Sequence, residues 1–291
     1  MSYEKKHEVS VNSVLKKLSV SSSGYYSWKN REKPSRELER ETIKEEIKEI
    51  YEKSNKVYGA PKITKELEKK GRCVSQKTVS KYMKAMDLRA IWVRKYKASR
   101  REKVEDELKD ILKRELNPPM SNMVWVTDIT YIYTDKGFVY LSSVMDLYSR
   151  KIISWEVSDR LTVEIVLRTI NKAKSMRKLD RTLIIHSDRG SQYTNGEYEK
   201  VTSHPQISRS YSRKGNPWDN AVIESFHSLI KREWLNRYRI RDLSEARGLI
   251  FEYIETFYNT RRIHSHCGML SPDEFEKNLK NTLLNFSFFL T

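Results

Sequence analysis

Three carboxylates stand in surroundings that do not suit surface acids. Asp188 follows Thr182, Leu183, Ile184 and Ile185, an apolar run with the length and branching of a buried strand. Glu224 lies in a stretch of helical spacing, with Val222, Phe226, Leu229 and Ile230 on the apolar side. Thirty-five residues separate 188 from 224, yet an acid at a strand end and an acid on a helix can meet in space. Asp128 interrupts a β-prone run of Val124, Trp125, Val126, Ile129, Tyr131 and Ile132. An unpaired buried charge is very costly, so a lone carboxylate is a poor occupant of such a strand. Three acids converging on metal ions would remove that cost.

The elements that must position these acids follow from the pattern around them. Met123 to Thr134 reads as a strand, Asp135-Lys136-Gly137 as a hairpin turn, and Phe138 to Tyr148 as the partner strand. Lys151 to Val157 gives a third strand, and Thr162 to Met176 a helix with Val163, Val166, Leu167, Ile170 and Ala173 on one face. Thr182 to Ser187 is the fourth strand; a helix near Asn195 to Ser203 and a strand around Ile207 to Tyr211 follow. Asn216 as N-cap and Pro217 in the first turn open the helix of Glu224, and Asp219 suits its positive end. On that helix Glu224, His227, Ser228 and Lys231 share a face. Asp146 competes as a metal ligand, but the following Tyr-Ser-Arg marks a strand end, where a solvated structural Asp is ordinary. Ala246 to Phe257 forms a last amphipathic helix.

Upstream of this α/β core the chain is helical and basic. Tyr25, Tyr26 and Trp28 read as packing residues, and Arg31 to Lys53 as a charged helix with Ile43, Ile47, Ile50 and Tyr51 on one side. A helix after Pro61, a corner at Gly71 and a second helix capped by Ser75 make a helix-turn-helix pattern. Lys77, Lys81 and Lys84 line the second helix opposite Val79 and Met83, a face suited to a DNA groove or simply to water. Residues 99–117 read as a charged connecting helix, ended by Asn117-Pro118-Pro119. The loop Ser208 to Gly215 brings Arg213 and Lys214 toward the helix of Glu224, where they could grip phosphates.

Lys and Arg number 56 against 39 acids, a net charge of +17 that calls for an anionic partner. No apolar run reaches the roughly 18 residues of a membrane span, and no signal-peptide pattern opens the chain. Nucleic acid in the cytoplasm is therefore the expectation. Two cysteines, Cys73 and Cys267, make no disulfide framework, and a zinc site from His264, His266 and Cys267 is set aside for want of a second ligand pair.

The words around the acids are W-V-T-D-I-T-Y at Asp128, H-S-D-R-G-S-Q-Y at Asp188 and D-N-A-V-I-E-S-F at Glu224. They resemble those of DDE transposases of the insertion-sequence class, the OrfB-type product of the IS-three family. The likeness runs from about residue 20 to about residue 276. Tyr258 to Ser265 resembles the family's Y-N-x-x-R-P-H-S word, with Ile263 in place of proline and His266-Cys267 in place of a small-apolar pair. The resemblance implies an RNase H-like core, a mixed five-stranded sheet flanked by helices, with an N-terminal all-α helix-turn-helix region. Divided accordingly, the chain has a helical region at 1–56, a helix-turn-helix at 57–98, a connector at 99–119, a catalytic core at 120–277 and a tail at 278–291. It implies Asp128, Asp188 and Glu224 as catalytic and metal-binding residues for two Mg²⁺ ions, with Mn²⁺ as a substitute. Asp128 would bridge both ions, with Asp188 and Glu224 holding one each. It implies double-stranded DNA as partner, both terminal inverted repeats and target, a homo-oligomer on that DNA, and a product of an upstream frame, OrfA. Water would free a 3′-hydroxyl at the element's end, and that hydroxyl would attack DNA through a circularised intermediate. Lys231 is either a DNA-end contact or a solvated lysine, Arg262 would contact DNA, and His264 is either a structural clasp or a phosphate contact. A binding-only descendant and a nuclease on the same fold are the competing readings.

Overall fold

In the computed structural model, residues 10–30, 34–91, 108–214 and 216–278 are described. Two short helices, α1 (Val11–Lys17) and α2 (Ser22–Lys29), precede a long α3 (Ser35–Lys53). Helices α4 (Ala60–Lys69) and α5 (Gln76–Ala85) meet at the corner made by Gly71, whose φ of 79° is the left-handed conformation that glycine adopts without strain. The Ser75 hydroxyl accepts the Thr78 N–H at 3.2 Å, so α5 starts at the expected cap. Ile47, Ile63, Leu67, Val79 and Met83 pack the three helices together.

Five strands form one mixed sheet: β1 (Val124–Thr134), β2 (Gly137–Asp146), β3 (Ile152–Ser158), β4 (Leu183–Ser187) and β5 (Ile207–Tyr211). Their order is β3-β2-β1-β4-β5, the first three antiparallel and the last two parallel to β1. This is the RNase H-like arrangement. The alternation of β1 sends Val126 and Ile132 to one face and Trp125 and Ile129 to the other. Helices α6 (Val163–Met176) and α7 (Gly196–Thr202) cover the Trp125 face. The opposite face packs against α8 (Ala221–Glu233), α9 (Leu243–Phe251) and the helix-turn-helix unit, in one continuous apolar cluster. From Glu252 to Tyr258 the last helix widens to a π-helix, and a further helical stretch spans 272–278.

Four expectations need correction. The described part of the connector, 108–117, is not helical but a strap beside β5. There Lys109 O accepts the Tyr211 N–H, and the N–H groups of Ile111 and Leu112 donate to Ser210 Oγ. A sheet edge with unpaired backbone outcompetes the propensity of a charged segment for helix. Residues 99–107 lie outside the described residues. Trp28 is 72% exposed and α2 buries none of its residues, so the aromatic trio does not pack into the described core. Asn216 stands at the N-cap of a short 3₁₀ helix rather than of α8, with Pro217 in its first turn, and its side chain makes no capping bond. Its Oδ1 accepts from Arg114 Nη2 at 2.8 Å, a 3₁₀ turn covers Pro217–Asn220, and α8 begins only at Ala221. Asp146, finally, is fully buried rather than solvated. Among the described residues no helix is long and apolar enough to cross a membrane.

Candidate active site

Parallel pairing of β1 with β4 aligns Val126 with His186. Two residues further along each strand stand Asp128 and Asp188, the latter just past the end of β4 where the chain turns. The Gly190 N–H donates to Asp188 Oδ1 at 2.9 Å. A Cβ on Gly190 would come within 3.1 Å of that oxygen, so a larger residue there would crowd the carboxylate. Glu224 stands in the first turn of α8, within range of the charges of both aspartates.

The acids sense one another electrically. Burial, then the charges of Asp128 and Asp188, push Glu224 up to about 7. Burial and the Asp128 charge likewise raise Asp188 above the usual carboxylate range, against the Gly190 hydrogen bond. Among the described residues no three His, Cys, Asp or Glu side chains stand as a group that could already hold a metal ion. Asp188 and Glu224 are exposed and Asp128 is half-buried.

A supporting layer fixes these acids. His227, one turn beyond Glu224, holds Nδ1 3.3 Å from Asp128 Oδ2, while its Nε2 is 2.7 Å from Ser143 Oγ on β2. The pattern fits the tautomer whose Nδ1–H faces the carboxylate and whose Nε2 accepts the serine hydroxyl. Thr127 is pinned twice, its hydroxyl 3.2 Å from Tyr193 Oη and its carbonyl accepting from Asn220 Nδ2. Lys231 places its ammonium 4.4 Å from the centre of the Tyr131 ring. Burial lowers its pKa, and the Asp128 charge works against that.

The other candidate residues divide. Lys77, Lys81 and Lys84 are exposed on α5, and Lys214 is exposed before α8. Arg213 is not a free phosphate grip: its Nε and Nη2 donate to Asp219 at 2.9 and 2.8 Å. Asp219 is 1% exposed and also receives Arg114. Burial acts to raise its pKa, but the hydrogen bonds from Arg213 and Arg114 hold it well below the usual range. Arg262 is 6% exposed and bidentate on Glu233, at 2.7 and 2.5 Å, so it is structural and cannot meet DNA at the surface. The His264 ring packs edge-on against Tyr258, and its backbone bridges Leu270, the clasp geometry. Sequence reasoning put His227 on the right helix face but gave it no role. The signal was its spacing one turn from Glu224; the missing half was Ser143, which only the β1–β2 register brings near.

Models of the Integrase core domain match residues 118–217 and 205–272, and a model of an HTH-like domain matches 37–96. The transposase for insertion sequence element IS904 of Lactococcus lactis is 38% identical over 249 residues, covering 85% of this chain and 98% of that protein. Transposase InsF for insertion sequence IS3A of Escherichia coli is 35% identical over 276 residues, 94% of this chain and 96% of that one. Among solved structures, the HTLV-2 integrase catalytic core domain in complex with magnesium is 17% identical, with a TM-score of 0.43, covering 54% of this chain and 98% of that chain. Matched at this identity along nearly the full length of its relatives, the chain belongs to the IS3 family of insertion-sequence transposases.

Proposed function

We propose that Asp128, Asp188 and Glu224 are the catalytic and metal-binding residues of a DNA transposase that cleaves insertion-sequence ends and transfers the strand. The observation that supports this most is the mutual charge of the three acids, brought together by the β1–β4 register and the first turn of α8. Neighbouring negative charges that raise the pKa of Glu224 and of Asp188 make a good seat for a divalent cation, and hard carboxylate oxygens suit Mg²⁺, which completes its sphere with water and phosphate. Two Mg²⁺ ions, or Mn²⁺ in their place, would supply activation of the attacking oxygen and stabilisation of the leaving one.

The protein's own part is positioning. His227 and Ser143 fix the Asp128 carboxylate, and the Gly190 N–H fixes Asp188. Lys231 supplies a cation at the site, and Lys77, Lys81, Lys84 and Lys214 supply exposed charge for terminal-repeat and target duplexes. A homo-oligomer would join two ends, with the upstream-frame product as a further partner.

The test is a joining assay on a labelled element end with Mg²⁺. Wild-type protein, with the upstream-frame product added, should yield joined product. Asp188→Asn and Glu224→Gln should still bind the end and lose transfer by a factor of at least about 100, as expected for removal of a metal ligand. Transfer at the wild-type rate by Glu224→Gln would remove that residue from the site.

A further inference from the structure

Along the flank of α8 that carries Val222, Ser225 and Leu229 lies a cavity of about 410 Å³. Its basic wall has three sources: Lys62 on α4, Arg150 between β2 and β3, and His264 with His266 beyond the π-helix. No Asp or Glu among the described residues lines it. Arg262 also reaches it but is already neutralised by Glu233.

Two donors in this wall lack a partner. Arg150 Nη2 donates to Leu116 O at 3.0 Å, whereas Arg150 Nη1 and His264 Nε2 are buried without a hydrogen bond among the described residues. A buried polar atom left unpaired is costly, and hydrogen bonds to an oxygen-rich anion would recover that cost. Burial and the nearby Arg262 charge push Lys62 down to about 7, the behaviour of an ammonium without an adequate counter-charge. Burial, together with Arg262, Lys62, Arg150 and His266, holds His264 well below the ordinary histidine range. As a neutral ring His264 keeps a single N–H, and the Nε2–H tautomer would aim that donor at a ligand oxygen.

We propose that this cavity receives one backbone phosphate of the DNA end, gripped by Lys62 from the helix-turn-helix unit and by Arg150 and His264 from the catalytic core. The inference rests on the reading of the chain as a DNA-joining enzyme. Lys62 lies within the HTH-like match and Arg150 and His264 within the Integrase core matches, so one phosphate would tie the recognising unit to the cutting unit. The volume accommodates a phosphate with several waters, each of about 30 Å³, and the cavity flanks the helix that bears Glu224.

The probe is a fluorescent duplex carrying the terminal sequence that flanks this reading frame, titrated across a salt series. Lys62→Gln should lower the slope of log affinity against log salt by about 0.9, the loss of one phosphate contact. Lys65→Gln, on the same helix but exposed and paired with Glu68, should leave the slope unchanged. Equal melting temperatures of the three proteins exclude a folding effect; if Lys62→Gln melts early, Arg150→Gln, which removes the other cation of the wall, is read in its place with the same expectation. An unchanged slope with end binding intact overturns the phosphate site and leaves the transposase reading standing. No salt-dependent binding by wild-type protein overturns both. Inorganic phosphate that raises the wild-type melting temperature above chloride of equal ionic strength, with the DNA slope unmoved in Lys62→Gln, makes it a free-anion site and also overturns the proposal.

Discussion

Asp128 and Asp146 lie on neighbouring strands, and their surroundings give the same side chain opposite duties. Each Asp146 oxygen accepts one backbone N–H, from Tyr148 and from Asn122, both at 2.9 Å. Nothing of the side chain reaches solvent, and burial pushes its pKa up to about 6 despite those bonds. Asp128 keeps 17% of its side chain exposed, beside a histidine. The sign of the Asp146 effect is fixed by its raised value. Its stabilising contribution is complete below the unfolded pKa near 3.8 and is lost as pH rises through about 6, a change of up to about 3 kcal/mol. Asp146→Asn has one acceptor oxygen for two N–H groups and should cost about 1–3 kcal/mol. That deficit against wild type should narrow between about pH 4 and pH 7 in denaturant titrations, since only wild type loses stability there. A deficit that is constant across that range would show that Asp146 keeps its ordinary pKa.

Helix α8 carries two kinds of carboxylate, and its two ends differ in what they bury. Glu224 opens onto the site, while Glu233, at the last turn, is locked to Arg262 and accepts the Tyr253 hydroxyl at 2.7 Å. Arg262→Ala would strand Glu233 as a buried charge and should cost about 3–5 kcal/mol, whereas Arg262→Met with Glu233→Met should recover much of it. Urea unfolding measures both; a mild loss in the single variant combined with a reduced DNA salt slope would return Arg262 to the DNA surface. The elements themselves were readable. Strand β5 matches its expected span, and β1, β4 and α6 differ from theirs by a single residue at the start, because period-two and helical patterns in a core are dictated by burial. The three acids stand out in the sequence as carboxylates set beside apolar runs, but in the fold Asp188 and Glu224 are exposed and Asp128 is half-buried, so burial of the neighbours, not of the acids, made the pattern. Arg213 and Arg262 misled because a basic residue looks alike in sequence whether it faces phosphate or a buried acid 6 or 29 residues away. The strap at 108–112 misled because its structure is decided by the Ser210 side chain and the open edge of β5, which local propensity does not contain.

For the molecule as a whole, the recognition unit is fastened to the core by a tyrosine. Tyr58 donates its hydroxyl proton to Arg261 O and accepts the Ile263 N–H, both at 3.0 Å, across two hundred residues of chain. Tyr58→Phe leaves both groups unpaired, at a cost of about 1–3 kcal/mol. Hydrogen exchange should show earlier loss of protection in α4 and α5 than in β1 and β4; uniform protection would mean that the apolar contacts alone hold the two units together. The sheet, for its part, is closed at both borders. The 108–112 strap runs along β5. On β3, Asn259 pairs both the N–H and the carbonyl of Ile152, Lys172 reaches Trp155 O, and Arg247 caps Val157 O. Where these groups are occupied, a second copy meeting the sheet edge finds part of its backbone already paired, which hinders strand-to-strand extension.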